Sequence, residues 1–136
     1  MKRMNIRVEH VGLAAADPRG LADWYVRCLG GTELWNDGKM PPAVFVRLPG
    51  GCLLEIYKAH ALLEGTSVNG NAGFRHLALR VEDIEEARRE LAARGVMFRE
   101  SVKAAGGGGQ VLFFEDGEGN LLHLVGRPDD APLASI

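Results

Sequence analysis

The chain has little cysteine. Only Cys28 and Cys52 occur, and neither sits in the paired spacing of a thiolate metal site. Both are expected as small buried apolar residues in a reducing cytoplasm. No basic cluster stands out, and the formal net charge is −2. That argues against nucleic acid as a partner. No apolar run approaches the ~20 residues a membrane helix needs. The first residues, Met1-Lys2-Arg3-Met4-Asn5, are polar and carry no signal-peptide pattern, so a cytoplasmic location is expected. What is present is a globular composition: 136 residues, 46% of them hydrophobic. That supports one compact domain, or two small halves sharing a core. The 18 glycines cluster at turn positions, as many short strands require.

The organising feature is a repeat. His10 aligns with His76 at an offset of 66, placing Arg7-Val8-Glu9-His10-Val11-Gly12-Leu13 against Gly73-Phe74-Arg75-His76-Leu77-Ala78-Leu79. At the same offset Asp17 falls on Asp83, and each reads as a helix N-cap. Pro18 follows the first, and Glu86 stands three residues beyond the second. Leu21, Trp24, Tyr25 and Cys28 mark the buried stripe of a helix from Pro18 to Leu29. Ile84, Ala87 and Leu91 mark one from Ile84 to Arg94. Gly30-Gly31 and Gly95 are expected to end them as left-handed caps.

Each helix is followed by strand-like segments. In the first half these are Thr32–Trp35, Ala43–Leu48 and Cys52–Lys58. In the second they are Val96–Glu100, Gln110–Glu115 and Leu121–Val125. The chain thus reads as one domain, 1–136. It divides into a module at about 5–58, a linker at 59–72, a second module at about 73–126 and a C-terminal tail at 127–136, expected to fray from Pro128 onward. The fold class is α+β: two tandem β-α-β-β-β modules forming a curved, incompletely closed mixed β-sheet barrel, with the helices on the convex side. Asn36–Pro42 and Lys103–Gly109 are candidate mobile loops, the second reading better as a plain hairpin tip.

Polar residues recur at equivalent places in these strands. His10 and His76 match, and so do Glu55 and His123, at an offset of 68. Strand alternation sets each on a face whose other members are mostly apolar or small, where a lone carboxylate is costly. A cation shared by three imidazoles and one carboxylate would remove that cost. Simpler readings stand beside this one. A strand histidine can be structural, and Glu55 can face outward to pair with Arg47 or Lys58. Arg47, Arg75 and Arg80 read as surface residues, and His60 as exposed. Trp24 and Tyr25 read as helix-to-sheet packing. Trp35, Phe45, Tyr57 and Phe114 can line a cavity or fill the core. Glu9 is expected to point away from His10.

The pattern resembles the vicinal oxygen chelate superfamily of glyoxalase I, bleomycin-resistance proteins and extradiol dioxygenases. The residues that carry the resemblance are His10-Val11-Gly12-Leu13 with Asp17-Pro18 and Trp24-Tyr25, Leu53-Leu54-Glu55-Ile56, Arg75-His76-Leu77-Ala78-Leu79-Arg80-Val81, and Phe113 through Leu124. It covers roughly residues 6 to 126. The resemblance implies metal ligands at His10, Glu55, His76 and His123, spaced 45, 21 and 47 residues apart, as in bacterial glyoxalase I. The family's last ligand is usually a glutamate that moves a proton; here it is His123, which departs from glyoxalase I proper. No glutathione clamp can be mapped. His123 and Glu55 are the candidate catalytic residues.

A nitrogen and oxygen donor set without thiolate suits Fe, Mn, Ni, Co or Zn as the divalent metal. Four protein ligands would close a tetrahedral zinc, whereas a six-coordinate ion would keep two positions for neighbouring substrate oxygens. The implied function is a metal-dependent lyase, isomerase or dioxygenase acting on a small molecule. The alternative is a metal-independent drug- or small-molecule-binding protein of the bleomycin-resistance kind. A homodimer is the expected assembly, with the modules paired within one chain or between two.

Overall fold

The computed structural model describes residues 2–135; the terminal residues of the expected polar start and tail, Met1 and Ile136, lie outside them. The chain forms two compact units that divide between His60 and Ala61. The first holds β1 (His10–Ala15), α1 (Pro18–Leu29), β2 (Thr32–Asn36), β3 (Val44–Arg47) and β4 (Leu53–Lys58). The second holds β5 (His76–Arg80), α2 (Ile84–Ala93), β6 (Lys103–Ala104), β7 (Gln110–Glu115) and β8 (Leu121–Gly126). Both are β-α-β-β-β modules of an α+β fold. Their sheets run β1-β4-β3-β2 and β5-β8-β7-β6, so each is mixed and open at both edges. In both, the first strand pairs parallel to the last and the others pair antiparallel.

The helices begin where the sequence says they should. Asp17 accepts the Gly20 N–H at 3.0 Å, and Asp83 accepts the Glu86 N–H at 3.1 Å. Gly30 ends α1 with a left-handed φ of 73°. After α2, the Gly95 N–H bonds Ala92 O and the Val96 N–H bonds Leu91 O, both at 3.0 Å. That is the paired 5→2 and 6→1 pattern of a Schellman motif, with Val96 and Leu91 both buried beside it.

Each helix covers one face of its sheet. Leu21, Ala22, Tyr25 and Cys28 of α1 are buried, as are Val44, Val46, Leu54 and Ile56 on the facing strands. In the second unit, Ile84 and Leu91 of α2 are buried together with Leu112, Phe114, Leu122 and Leu124. Each such aliphatic side chain contributes roughly 1.5–3 kcal/mol by leaving water. The opposite face of each sheet has no helix on it. Among the described residues no helix is long and apolar enough to cross a membrane.

Four expectations are corrected. His76, the middle residue of the aligned stretch Gly73–Leu79 and expected at the centre of its strand, stands instead at its first position, as His10 does in β1. Val96–Glu100 forms no strand. The segment still runs beside β7: extending the pairing of Lys103 with Val111 back four residues brings Arg99 opposite Glu115, and their charged groups lie 3.8 Å apart. Only Lys103 and Ala104 complete ladder pairs, because Val96 is committed to the helix cap. The tail is docked, not frayed. Leu133 N–H donates to Gly107 O, Arg80 donates to the carbonyls of Leu133 and Ala134, and Arg127 donates to those of Gly106 and Gly108. The glycine run is therefore a hairpin tip held by neighbouring chain. Finally, Cys28 is buried as expected but Cys52 is exposed at a turn.

The Asn36–Pro42 loop is also tied down. Asp37 Oδ1 accepts the N–H groups of Lys39 and Ala43, at 3.0 and 3.1 Å. These donors hold its carboxyl below the usual carboxylate range.

Candidate functional site

Residues paired across a ladder share a face of the sheet. In the first module His10 pairs with Leu53, Gly12 with Glu55, and Phe45 with Glu55. His10, Phe45 and Glu55 therefore lie together on the face away from α1. The His10 ring stands edge-on to Phe45, centroids 5.3 Å apart. Tyr57 shares that face and lies over Gly12, where an added methyl would meet its ring at 3.3 Å. Trp35 extends the aromatic row, with its ring 6.0 Å from Phe45.

The second module repeats the arrangement. Ala78 and Phe113 both pair with His123, and His76 pairs with Leu121. The His76 and His123 rings are 4.6 Å apart, and Phe113 lies 5.6 Å from one and 4.8 Å from the other. Phe113 is thus the counterpart of Phe45. Lys103 places its ammonium 5.6 Å from the Phe113 ring.

Of the four predicted ligands, each module brings two onto one face: His10 with Glu55, and His76 with His123. Among the described residues no three His, Cys, Asp or Glu side chains are grouped closely enough to hold a metal ion, so each module by itself supplies a pair. Glu55 makes no ion pair among the described residues. Lys58, a candidate partner, donates instead to Ala16 O at 2.6 Å.

The three histidines share one hydrogen-bonding arrangement. His10 Nδ1 is 2.9 Å from Glu9 Oε1, His76 Nδ1 is 2.8 Å from Asn69 Oδ1, and His123 Nδ1 is 3.1 Å from Leu124 O. Every one of these partners is an acceptor, so each neutral ring carries its proton on Nδ1. Nε2 is left as a lone pair without a hydrogen-bond partner among the described residues. His123 is the most enclosed, at 6% exposure. Burial pushes its imidazole below the ordinary range, and the charge of Arg127, with that of His76 when protonated, acts the same way, while the Leu124 carbonyl opposes them.

Sequence reasoning missed three participants. Glu9 lies before the first residue of β1, where strand alternation does not govern it, so it turns back onto His10. Asn69 comes from the linker, which carried no signal beyond turn composition. Phe113 was passed over for Phe114; the register puts Phe114 on the helix side, buried and 5.3 Å from Phe98.

Comparison with known proteins agrees with this architecture. The model of the Glyoxalase/Bleomycin resistance protein/Dioxygenase superfamily matches residues 7–124. No curated protein matches the sequence. The chain is similar in structure to a glyoxalase family protein from Enterococcus faecalis. Identity is 27% over 88% of this chain and 96% of that one, with a TM-score of 0.73. It shares its fold with a variant of the fosfomycin resistance protein FosX from Listeria monocytogenes, complexed with Mn(II) and 1S,2S-dihydroxypropylphosphonic acid. That match has 16% identity over 92% and 93% of the two chains, and a TM-score of 0.68. It also shares its fold with TnmS3, an antibiotic-binding protein from Streptomyces sp. CB03234, at 22% identity over 93% and 100% and a TM-score of 0.72. The match over residues 7–124 takes in both modules and all four positions His10, Glu55, His76 and His123, and the chain belongs to the glyoxalase/bleomycin resistance protein/dioxygenase superfamily.

Proposed function

We propose that the chain is a divalent-metal-dependent enzyme of the lyase, isomerase or dioxygenase type, acting on a small molecule through neighbouring oxygens. In this reading His10 and Glu55 from one module and His76 and His123 from the other are the ligands, within one chain or across a homodimer. The observation that carries it is the common state of the three imidazoles: Nδ1 tied to an acceptor, Nε2 free. That is how protein histidines are prepared for a metal. Three such nitrogens and one unpaired carboxylate fit Mn, Fe, Co, Ni or Zn by donor chemistry. When bound, such an ion supplies Lewis-acid polarisation of substrate oxygens.

The chain's own residues divide the remaining work. Phe45 and Phe113 flank the imidazoles and limit water on one side of each ring. Glu55 has two oxygens, so it can ligate through one and hold a proton on the other. His123 has only Nε2 to offer, because Nδ1 is engaged by Leu124. It therefore serves as a ligand or as a base, but not both at once. The Mn(II) in FosX supports the reading at the level of the fold.

Elemental analysis of purified protein, before and after chelator treatment, tests it. Near-stoichiometric metal that is weakened in His123→Ala is expected. A protein that takes up no metal on titration overturns the proposal. One observation favours a second reading. Trp35, Phe45 and Tyr57 form a partly exposed aromatic row on one sheet face, suited to stacking a flat ligand. Together with the likeness to TnmS3, this supports small-molecule binding without metal, which chelator-insensitive binding would establish.

A further inference from the structure

We infer that Asn69 and Glu9 are positioning residues that fix His76 and His10 with Nε2 presented for a ligand; this rests on the metal reading above. The two modules reach the same imidazole state by unrelated means. In the first, the acceptor is the residue just before the histidine, Glu9. The repeat places Arg75 at the equivalent position of the second module, and a guanidinium has no acceptor to offer. Arg75 turns instead to Val68 O, at 3.3 Å. The acceptor for His76 is supplied from the linker by Asn69 Oδ1, 2.8 Å from Nδ1.

That linker is built to hold Asn69 in place. Val68 N–H bonds Gly65 O and Asn71 N–H bonds Val68 O, both at 3.1 Å, while Asn71 Nδ2 bonds Gly65 O at 2.9 Å. The turn bracketing Asn69 is thus closed from three directions. Where Arg75 offers no acceptor, a different residue in a different segment supplies one. What the two modules share is the Nδ1-to-acceptor contact rather than the residue that makes it.

The effect of these tethers is specific. Each holds the proton on Nδ1, keeps Nε2 as the lone pair, and restricts rotation of the ring. Losing such a partner lowers metal affinity by about 10- to 100-fold. Both side chains are exposed, so replacing them removes little packing.

The experiment uses chelator-treated full chain. Long-range proton–nitrogen NMR correlations at about pH 8, above the ordinary imidazole range, read which ring nitrogen carries the proton. Wild type is expected to show Nδ1–H at His10, His76 and His123. Asn69→Ala should lose that preference at His76 alone, Glu9→Ala at His10 alone, and Asn69→Asp should keep it. Zn(II) affinity, measured by chelator competition, should fall about 10- to 100-fold in each alanine variant and recover in Asn69→Asp. An Nε2–H tautomer at His76 in wild type overturns the inference. So does an alanine variant that binds Zn(II) as tightly as wild type. A wild type with the stated tautomers that takes up no metal sinks the metal reading, and the inference with it.

Discussion

His123→Leu separates a histidine kept for chemistry from one kept for packing. His123 is almost wholly buried, and its one hydrogen bond is the neutral contact from Nδ1 to Leu124 O at 3.1 Å. Losing such a bond costs about 1 kcal/mol. Against this, leucine buries an apolar side chain at a position only 6% exposed, worth roughly 1.5–3 kcal/mol against leaving it in water, part of which the imidazole already supplies. The substitution also puts an apolar side chain of similar size between Phe113 and His76. The balance lies between zero and about 2 kcal/mol of added stability for the metal-free protein. His123→Ala differs, because it empties the space between rings now 4.8 and 4.6 Å away and should cost roughly 1–3 kcal/mol. Urea unfolding of chelator-treated wild type and both variants measures this, with metal uptake read in parallel. The expected result is a leucine variant at least as stable as wild type and, on the metal reading proposed above, one with weakened metal uptake. A leucine variant destabilised by more than about 2 kcal/mol would mean that the imidazole holds the fold together, and the reasoning would fail.

Two further outcomes follow from the fold. Gly109 has a φ of 103°, and a methyl group there would lie 2.0 Å from Gly126 O, a backbone atom that cannot swing aside. Gly109→Ala should therefore destabilise by at least about 2 kcal/mol in thermal or urea unfolding, and a change under 0.5 kcal/mol would show that the β6–β7 tip is not held as described. Glu33 is bonded by Arg19, which holds its carboxyl below the ordinary 4.5. A carboxyl lowered on folding stabilises above that ordinary value, and the contribution is lost as pH falls through the lowered one. Because the pair lies near the surface, Glu33→Gln should cost no more than about 1 kcal/mol at pH 7 and should flatten the stability profile below about pH 4.5. An unchanged acid slope in the variant would rule out the ion pair as its source.

How much of this was legible in the sequence depended on whether a signal was local. Asp17 with Pro18, and Asp83 ahead of Ile84, gave both helix starts to the residue, because an N-cap is satisfied within four positions. The repeat supplied topology, since equivalent strands must make equivalent pairs. Register was less visible. Phe113 and Phe114 are neighbours of the same type, and only the pairing of Phe113 with His123 tells which one faces the histidines. Strand termini failed for a related reason: Val8 and Phe74 continue the alternation, but no partner strand extends far enough to pair with them. The tethers of His10 and His76 were beyond reach. One comes from a residue outside the strand rule, the other from a linker whose turn depends on contacts among residues 65 to 71.

The same geometry explains why stability and chemistry should separate in this chain. Each sheet has one face closed by its own helix, and the four proposed ligand positions all fall on the other face. Side chains such as Val46, Ile56, Leu112 and Leu122 supply burial on the closed face and have no path to a bound molecule. Glu55, His10 and His76 contribute little burial and sit on strands whose pairing does not depend on them. A polar residue at 10, 55 or 76 can therefore be exchanged without disturbing the helix-packed core, whereas His123 lies buried on its face with Leu121 and Val125. Such independence accords with a fold shared by a fosfomycin resistance protein complexed with Mn(II) and an antibiotic-binding protein. It also places the tethers at the boundary between the two concerns. Asn69 and Glu9 leave the core untouched, and their effect is to be looked for in ligand affinity rather than in unfolding.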